Sequence, residues 1–96
     1  DTLSLHKQAV SELIARDRNR TCVIAWSLAN EPGYLGEPEY RERSGPYWEA
    51  LFGYARALDP TRPLMHANVA YAGLEDPAFR HADICAINRY HGWYSE

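Results

Sequence analysis

The segment Asn30-Glu31-Pro32 places a carboxyl group beside an amide, directly after a run of apolar residues. That run, residues 22–28, predicts a buried strand, and catalytic groups of α/β barrels lie where such strands end. A carboxyl group there can stay protonated and give its proton to a leaving oxygen, as glycoside hydrolysis requires. Because a proline disfavours the α region for the residue before it, we expect extended backbone at Glu31. The alternative is a solvated glutamate before a turn-forming proline.

A second polar and aromatic segment, NRYHGWY, begins at Asn88 and also follows an apolar run. Asn88 and Tyr90 lie two positions apart and therefore share one side of an extended chain. After a parallel strand, this segment would emerge at the same edge of the sheet as Glu31. Tyr90, Trp93 and Tyr94 could then form one wall of a sugar pocket. The alternative is an aromatic cluster that only packs the loop.

The elements that would position these residues follow from the spacing of apolar residues. Residues 3–18 show the helical period and predict an amphipathic helix. Residues 32–45 contain two prolines, three glycines and mixed charges, so we expect a loop. A helix should begin at Ser44-Gly45-Pro46, with Pro46 at its first position, and end at Asp59-Pro60.

Two further strands are expected at residues 64–70 and 83–88, with a short helix at residues 77–82 between them. Strands that alternate with helices indicate βαβ units and a parallel sheet. Three parallel strands cannot close a barrel, and as an open sheet they leave two edges unpaired. We therefore expect residues 1–96 to be one partial domain of a larger protein; the alternative is a complete small α/β domain.

The composition argues against several other functions. Ten lysines and arginines against thirteen aspartates and glutamates give a net charge of −3, which disfavours a partner such as nucleic acid or a membrane surface. The two cysteines, Cys22 and Cys85, form neither a metal-binding pair nor a disulfide framework, and we expect both in buried strands. The histidines lack metal-ligand spacing, and His66 is expected to be packed or hydrogen-bonded in a strand.

The chain resembles the catalytic TIM (β/α)8 barrel of glycoside hydrolase family 2, and most closely the β-glucuronidases. By this resemblance the fold is α/β, a fragment of the barrel with about strands four to six and the helices between them. Together the matching segments are specific to the family, although Asn-Glu-Pro alone also occurs in other barrel glycosidases. They fall in the family's order and spacing: 14–19 (IARDRN), 23–32 (VIAWSLANEP), 58–63 (LDPTRP) and 88–94 (NRYHGWY).

The resemblance implies a role for each matching residue. Glu31 would be the general acid/base, and Asn30 would bind the sugar's 2-hydroxyl. Asn88, Tyr90 and Tyr94 match substrate-binding positions after the sixth strand. The implied reaction is hydrolysis of a terminal β-D-glucuronide with retention, through a covalent glycosyl-enzyme. The implied partner is a carbohydrate substrate, no cofactor or metal is implied, and a homo-oligomeric parent stays open.

Two features of the family are not found in these residues. The nucleophilic glutamate follows the family's seventh strand, beyond residue 96, and the Asn-x-Lys that grips the glucuronate carboxylate is missing around Lys7, the only lysine. We therefore expect the isolated chain to be inactive. Arg20-Thr21 replaces a frequent His-Pro, and His91 replaces a tyrosine common in glucuronidases. A β-galactosidase, a β-mannosidase and a non-catalytic sugar-binding barrel are the alternatives.

Overall fold

The computed structural model describes residues 2–31, 38–69, 76–89 and 92, with side chains in the second helix described from residue 43 onward. The three strands form one parallel sheet in the order β1-β2-β3. Helices and parallel strands alternate as the sequence predicts. In chain order the elements are α1 (Thr2–Asp17), β1 (Trp26–Asn30), α2 (Pro38–Leu58), β2 (Leu64–Val69), a 3-10 helix (Pro77–Arg80) and β3 (Ile84–Asn88).

The hydrophobic core lies between the two helices and one face of the sheet. From α1 only Val10 and Ile14 are buried, whereas Leu5 is 67 % exposed although it belongs to the predicted apolar face. Leu5 therefore does not pack on the core, whereas the half-buried Leu3 does. The largest contributions come from α2 and the strands, through Trp26, Leu28, Trp48, Leu51, Phe52, Ala55 and Leu64.

The start of α2 corrects the sequence-based expectation. The helix begins at Pro38, so the loop expected up to residue 45 is wrong for its last eight positions, and Pro46 lies inside the helix. Pro46 lacks the amide that would bond to the carbonyl four residues earlier, which weakens the helix locally. The residues that follow bury a wide apolar face, and this packing overrides the local preference for a break. That face consists of Trp48, Leu51, Phe52 and Ala55, each at most 3 % exposed.

The first strand begins at Trp26, four residues later than expected. The guanidinium of Arg62 explains the delay, because it binds backbone carbonyls of the segment before the strand. Its Nε donates to Val23 O at 2.8 Å, and its Nη2 donates to Arg18 O at 2.8 Å. Cys22 therefore lies in a turn and is exposed, and Cys85 in β3 is exposed too, so the expectation of two buried cysteines is wrong.

A buried carboxylate, Asp59, fixes the start of β1 to the connection before β2. Its Oδ2 accepts hydrogen bonds from Trp26 Nε1 at 3.0 Å and Arg62 Nη1 at 2.9 Å. Its Oδ1 accepts from the amide of Thr61 at 2.9 Å and from the Thr61 hydroxyl. These bonds, that of the Thr61 hydroxyl above all, hold the pKa of Asp59 well below its ordinary range.

A second carboxylate, that of Asp83, links the start of β2 to the residue directly before β3. Its Oδ2 accepts from the amide of Leu64 at 2.9 Å and from Arg56 Nη1 at 2.8 Å. The bond from the Leu64 amide and the bond from Arg56 lower the pKa of Asp83. Asp83 thus lies at the amino end of the sheet, where a barrel keeps its structural rather than its catalytic residues.

Candidate active site

The carboxyl ends of β1 and β3 meet through two asparagines. Asn88 Nδ2 donates to Asn30 Oδ1 at 2.7 Å, although β2 lies between their strands. Glu31 follows Asn30 directly and is anchored to the middle strand, since its amide donates to Ala67 O at 2.9 Å. The structure therefore brings Asn30, Glu31 and Asn88 together at the carboxyl ends of the strands, as expected for a parallel sheet.

A β-bulge directly precedes this group. Ser27 pairs with Met65 and Asn30 pairs with Ala67, so two residues of β1, Leu28 and Ala29, face one residue of β2. The bulge reverses the alternation of side chains. Leu28 and Ala29 both pack toward the helices, while Asn30 is exposed.

We call the sheet face away from the helices the open face, and it carries Ser27, Asn30 and Asn88. Without the bulge, Asn30 would share the parity of Trp26 and Leu28 and would point toward the helices. The bulge is therefore what allows Asn30 to meet Asn88. The sequence gives no sign of it, because the apolar run of β1 contains no glycine or other bulge signal.

Glu31 has a backbone φ of +51°, in the left-handed region. This corrects the expectation of extended backbone, because Pro32 restricts but does not dictate the conformation before it. A non-glycine residue in this region carries about 1–3 kcal/mol of strain, and such residues cluster at functional sites. Glu31 is half-buried and lies directly beyond the last residue of β1. Strain at that position favours a functional role over a solvated loop glutamate.

Two of the expected substrate-binding residues, Tyr90 and Tyr94, lie outside the described residues, as do His91 and Trp93. Their proposed place in a pocket wall therefore stays a prediction. Of the expected site residues, the structure describes Asn30, Glu31 and Asn88, and it brings these three together.

A histidine of α1 contacts the bulge from the helix side, and the sequence analysis did not single it out. His6 Nε2 lies 2.8 Å from Leu28 O, and His6 Nδ1 lies 2.7 Å from the hydroxyl of Tyr47 in α2. Burial raises the pKa of Tyr47, so the hydroxyl stays protonated and can donate. No local signal could have found this pair, because the two residues are 41 positions apart.

A cleft of about 320 Å³ opens beside His6, between α1 and α2. Two buried polar atoms of its lining, Ser44 Oγ and Trp48 Nε1, have no hydrogen-bond partner among the residues that the structure describes. Because Ala29 contributes to the lining from its helix-facing side, the cleft lies behind the strand rather than on the open face. The full lining is Thr2, His6, Ala29, Arg43, Ser44, Tyr47 and Trp48.

A second buried histidine belongs to β2. His66 is fully buried, which confirms that it is packed and hydrogen-bonded, and its Nε2 lies 2.8 Å from Asp76 Oδ2. Asn68 Nδ2 donates to the same oxygen at 2.6 Å, and Asp76 Oδ1 accepts from the amide of Ala78 at 3.0 Å. Asp76 is thus a buried cap of the 3-10 helix.

Within residues 2–31, 38–69, 76–89 and 92, no three His, Cys, Asp or Glu side chains are grouped so that they could hold a metal ion. In the same part of the chain, no helix is both long enough and apolar enough to cross a membrane.

Comparison with known proteins places this geometry in a family. The family model "Glycosyl hydrolases family 2, TIM barrel domain" matches residues 1–96. The chain belongs to glycoside hydrolase family 2. Its fold is accordingly the α/β arrangement of helices and parallel strands of that TIM barrel, which confirms the resemblance noted from the sequence.

The relatives include several β-glucuronidases. The enzyme of Paenibacillus borealis is 36 % identical over 100 % of this chain, and that of Sus scrofa is 30 % identical over 99 %. The structure of the Dictyoglomus thermophilum β-D-glucuronidase is 36 % identical over 98 % of this chain, with a TM-score of 0.80. A Bifidobacterium dentium β-glucuronidase complexed with coumarin-3-O-glucuronide is 36 % identical over 97 %, with a TM-score of 0.81. The chain spans 14–15 % of the length of these proteins.

Proposed function

We propose that this chain is part of the catalytic barrel of a larger retaining glycosidase, a β-glucuronidase, in which Glu31 is the general acid/base. The observation that carries the proposal is the position of Glu31, strained and half-buried, one residue beyond β1 and beside the Asn30–Asn88 pair. The carboxyl ends of barrel strands are where catalytic groups lie. The similarity to β-glucuronidases supports the choice of sugar.

The chemistry follows from these positions. Glu31 would give its proton to the glycosidic oxygen as the bond breaks, and would later take a proton from the water that releases the sugar. Asn30 uses its amide oxygen to accept the bond from Asn88. Its own NH2 group is therefore directed to donate, which suits a hydroxyl of the sugar such as the 2-hydroxyl. Tyr90, Tyr94 and Asn88 would complete the binding of the ring.

Retention of configuration requires a second carboxylate, about 5 Å from the first. The described aspartates nearest the strands make structural hydrogen bonds instead. Asp59 and Asp83 bind groups at the starts of β1 and β2, and Asp76 binds His66. We propose that the nucleophile and the groups that bind the glucuronate carboxylate lie outside these 96 residues. The isolated chain should then be inactive, and turnover by the pure 96-residue chain would contradict this.

The test uses the full-length protein and two aryl β-glucuronides that differ in the acidity of the leaving phenol. Proton donation matters for a weakly acidic phenol such as methylumbelliferone and little for dinitrophenol. We expect Glu31→Gln to slow cleavage of the methylumbelliferyl substrate by about 10²–10⁴-fold, the usual contribution of general acid catalysis. The first step with the dinitrophenyl substrate should change far less.

Glu12→Gln is the matched control, because Glu12 is exposed on α1 and accepts a hydrogen bond from Gln8, far from the strand ends in sequence. It should leave both rates unchanged. An equal loss in the first step for both leaving groups in Glu31→Gln would refute the acid/base role. Preference for aryl β-galactosides would keep the mechanism and change the substrate. Binding of glucuronides without cleavage by the wild-type protein would indicate a sugar-binding barrel instead.

A further inference from the structure

The bulge in β1 leaves a backbone group that the sheet cannot satisfy. Leu28 is 6 % exposed and lies at the point where two residues of β1 face one of β2. A buried carbonyl without a partner costs about 1–3 kcal/mol, so the bulge is stable only if another group binds it. His6 Nε2, at 2.8 Å from Leu28 O, supplies that bond from α1.

The ring of His6 is held in one orientation. Because the Leu28 carbonyl can only accept, Nε2 carries the proton toward it, and Nδ1 of the neutral ring is left to accept from the Tyr47 hydroxyl at 2.7 Å. The edge of the ring also faces Trp48, with centroids 6.2 Å apart and planes at 80°. Both helices thus fix the histidine that contacts the strand.

The bulge also determines the position of Glu31, the candidate catalytic residue, which lies three positions after Leu28. The bulge sends Asn30 to the open face, and Glu31 follows with its amide bound to Ala67 O. If the Leu28 carbonyl lost its partner, the regular pairing would compete with the bulge, and regular pairing turns Asn30 toward the helices. Glu31 would then leave its position beside the Asn30–Asn88 pair.

We propose that His6, oriented by Tyr47, is a positioning residue for Glu31: it caps the carbonyl that the bulge frees and so keeps the end of β1 aimed at the open face. The inference rests on the proposed function, because it assumes that Glu31 donates the proton. It assigns a role in the reaction to a helix residue that does not touch the substrate.

The experiment measures, in the full-length protein, the ratio of kcat/KM for the methylumbelliferyl β-glucuronide to kcat/KM for the dinitrophenyl β-glucuronide, because kcat/KM reports the first step, in which the leaving oxygen is protonated. This ratio reports proton donation and does not depend on the fraction of folded enzyme, so a loss of stability alone leaves it unchanged. We expect His6→Ala to lower the ratio about tenfold to a hundredfold, the effect of a misplacement of about 1 Å. KM for both substrates should stay close to that of the wild type.

Two milder variants keep the proposal testable if His6→Ala folds poorly. Tyr47→Phe removes only the hydroxyl and should lower the ratio by a smaller factor. His6→Gln places an amide NH2 where Nε2 was and should restore most of the ratio. His81→Ala is the matched control, because His81 is also half-buried and its ring packs against Phe52, with the ring centroids 6.4 Å apart. It should leave the ratio unchanged.

The outcomes separate the two proposals. If Glu31→Gln leaves the ratio unchanged, or the wild-type protein cleaves no glycoside, the proposed function fails and this inference fails with it. If Glu31→Gln lowers the ratio while His6→Ala and Tyr47→Phe do not, the acid/base role stands and the positioning role is overturned. An equal fall in His81→Ala would also overturn it.

Discussion

Replacing Asp59 by asparagine should destabilise the protein by about 3 kcal/mol. Asp59 is 3 % exposed, and each of its oxygens accepts two hydrogen bonds, from Trp26 and Arg62 on one side and from Thr61 on the other. Asparagine keeps the shape but turns one oxygen into an NH2 group that faces two donors. A hydrogen bond to a charged group contributes about 1.5–3 kcal/mol, so the loss of two gives at least about 3 kcal/mol.

The effect should depend on pH with a definite sign. The pKa of Asp59 lies well below its ordinary value in the folded protein, so the carboxylate stabilises the fold above its unfolded pKa of about 4. That stabilisation is lost as the pH falls from about 4 toward the folded pKa. Asparagine does not titrate. The difference between wild type and Asp59→Asn should therefore be constant from neutral pH to about pH 5 and shrink below about pH 4.

The assay is urea unfolding of the full-length protein, followed by circular dichroism at several pH values. Asp17→Asn makes the same chemical change at a carboxylate whose partners, Arg16 and Arg20, have side chains 69 % and 64 % exposed. Exposed ion pairs of this kind contribute little, so its unfolding midpoint should move far less. A shift for Asp59→Asn no larger than that for Asp17→Asn, or a difference that grows toward acidic pH, would refute the reasoning.

Two further predictions concern the hydrophobic core and the hydrogen bonds of the buried Asp76. Phe52→Ala should cost about 3–5 kcal/mol, because Phe52 is 1 % exposed in the core, whereas Leu5→Ala should be nearly neutral at a side chain 67 % exposed; urea midpoints compare them. Asp76→Asn should cost about 3 kcal/mol and loosen the 3-10 helix, because the new NH2 faces the donors of either His66 and Asn68 or the Ala78 amide. Hydrogen exchange at residues 76–81 measures this, and unchanged protection there would contradict it.

The sequence predicts the elements well where hydrophobic spacing decides them. The second half of α2 is an example, because Leu51, Phe52 and Ala55 lie at helical intervals and all three are buried. It fails where tertiary contacts outweigh local preference. Pro46 was expected to begin a helix, yet the packing that follows it carries the helix back to Pro38. Local preference cannot weigh a proline against a face that packs on distant elements.

In the candidate site, too, some features can be predicted from the sequence and others depend on tertiary contacts. Alternating helices and strands predict that Glu31 and Asn88 share an edge, because parallel strands end together. The bulge and its histidine cannot be predicted, since both depend on contacts between residues far apart in the chain. His6 reaches Leu28 across 22 positions and Tyr47 across 41. The conformation of Glu31 also differs from the preference of a residue before proline, and the anchoring of its amide to Ala67 contributes to this difference.

The two ends of the sheet show why strain at Glu31 is tolerable. Its left-handed backbone costs about 1–3 kcal/mol. At the opposite end, Asp59 contributes about 3 kcal/mol by the reasoning above, and Asp83 adds a bond to the Leu64 amide. Stabilising carboxylates therefore lie at the strand starts, while the strained residue and the paired asparagines lie at the strand ends. Because a barrel separates structural and catalytic ends in this way, the sheet can hold Glu31, the proposed acid/base, in a conformation that it would not adopt alone.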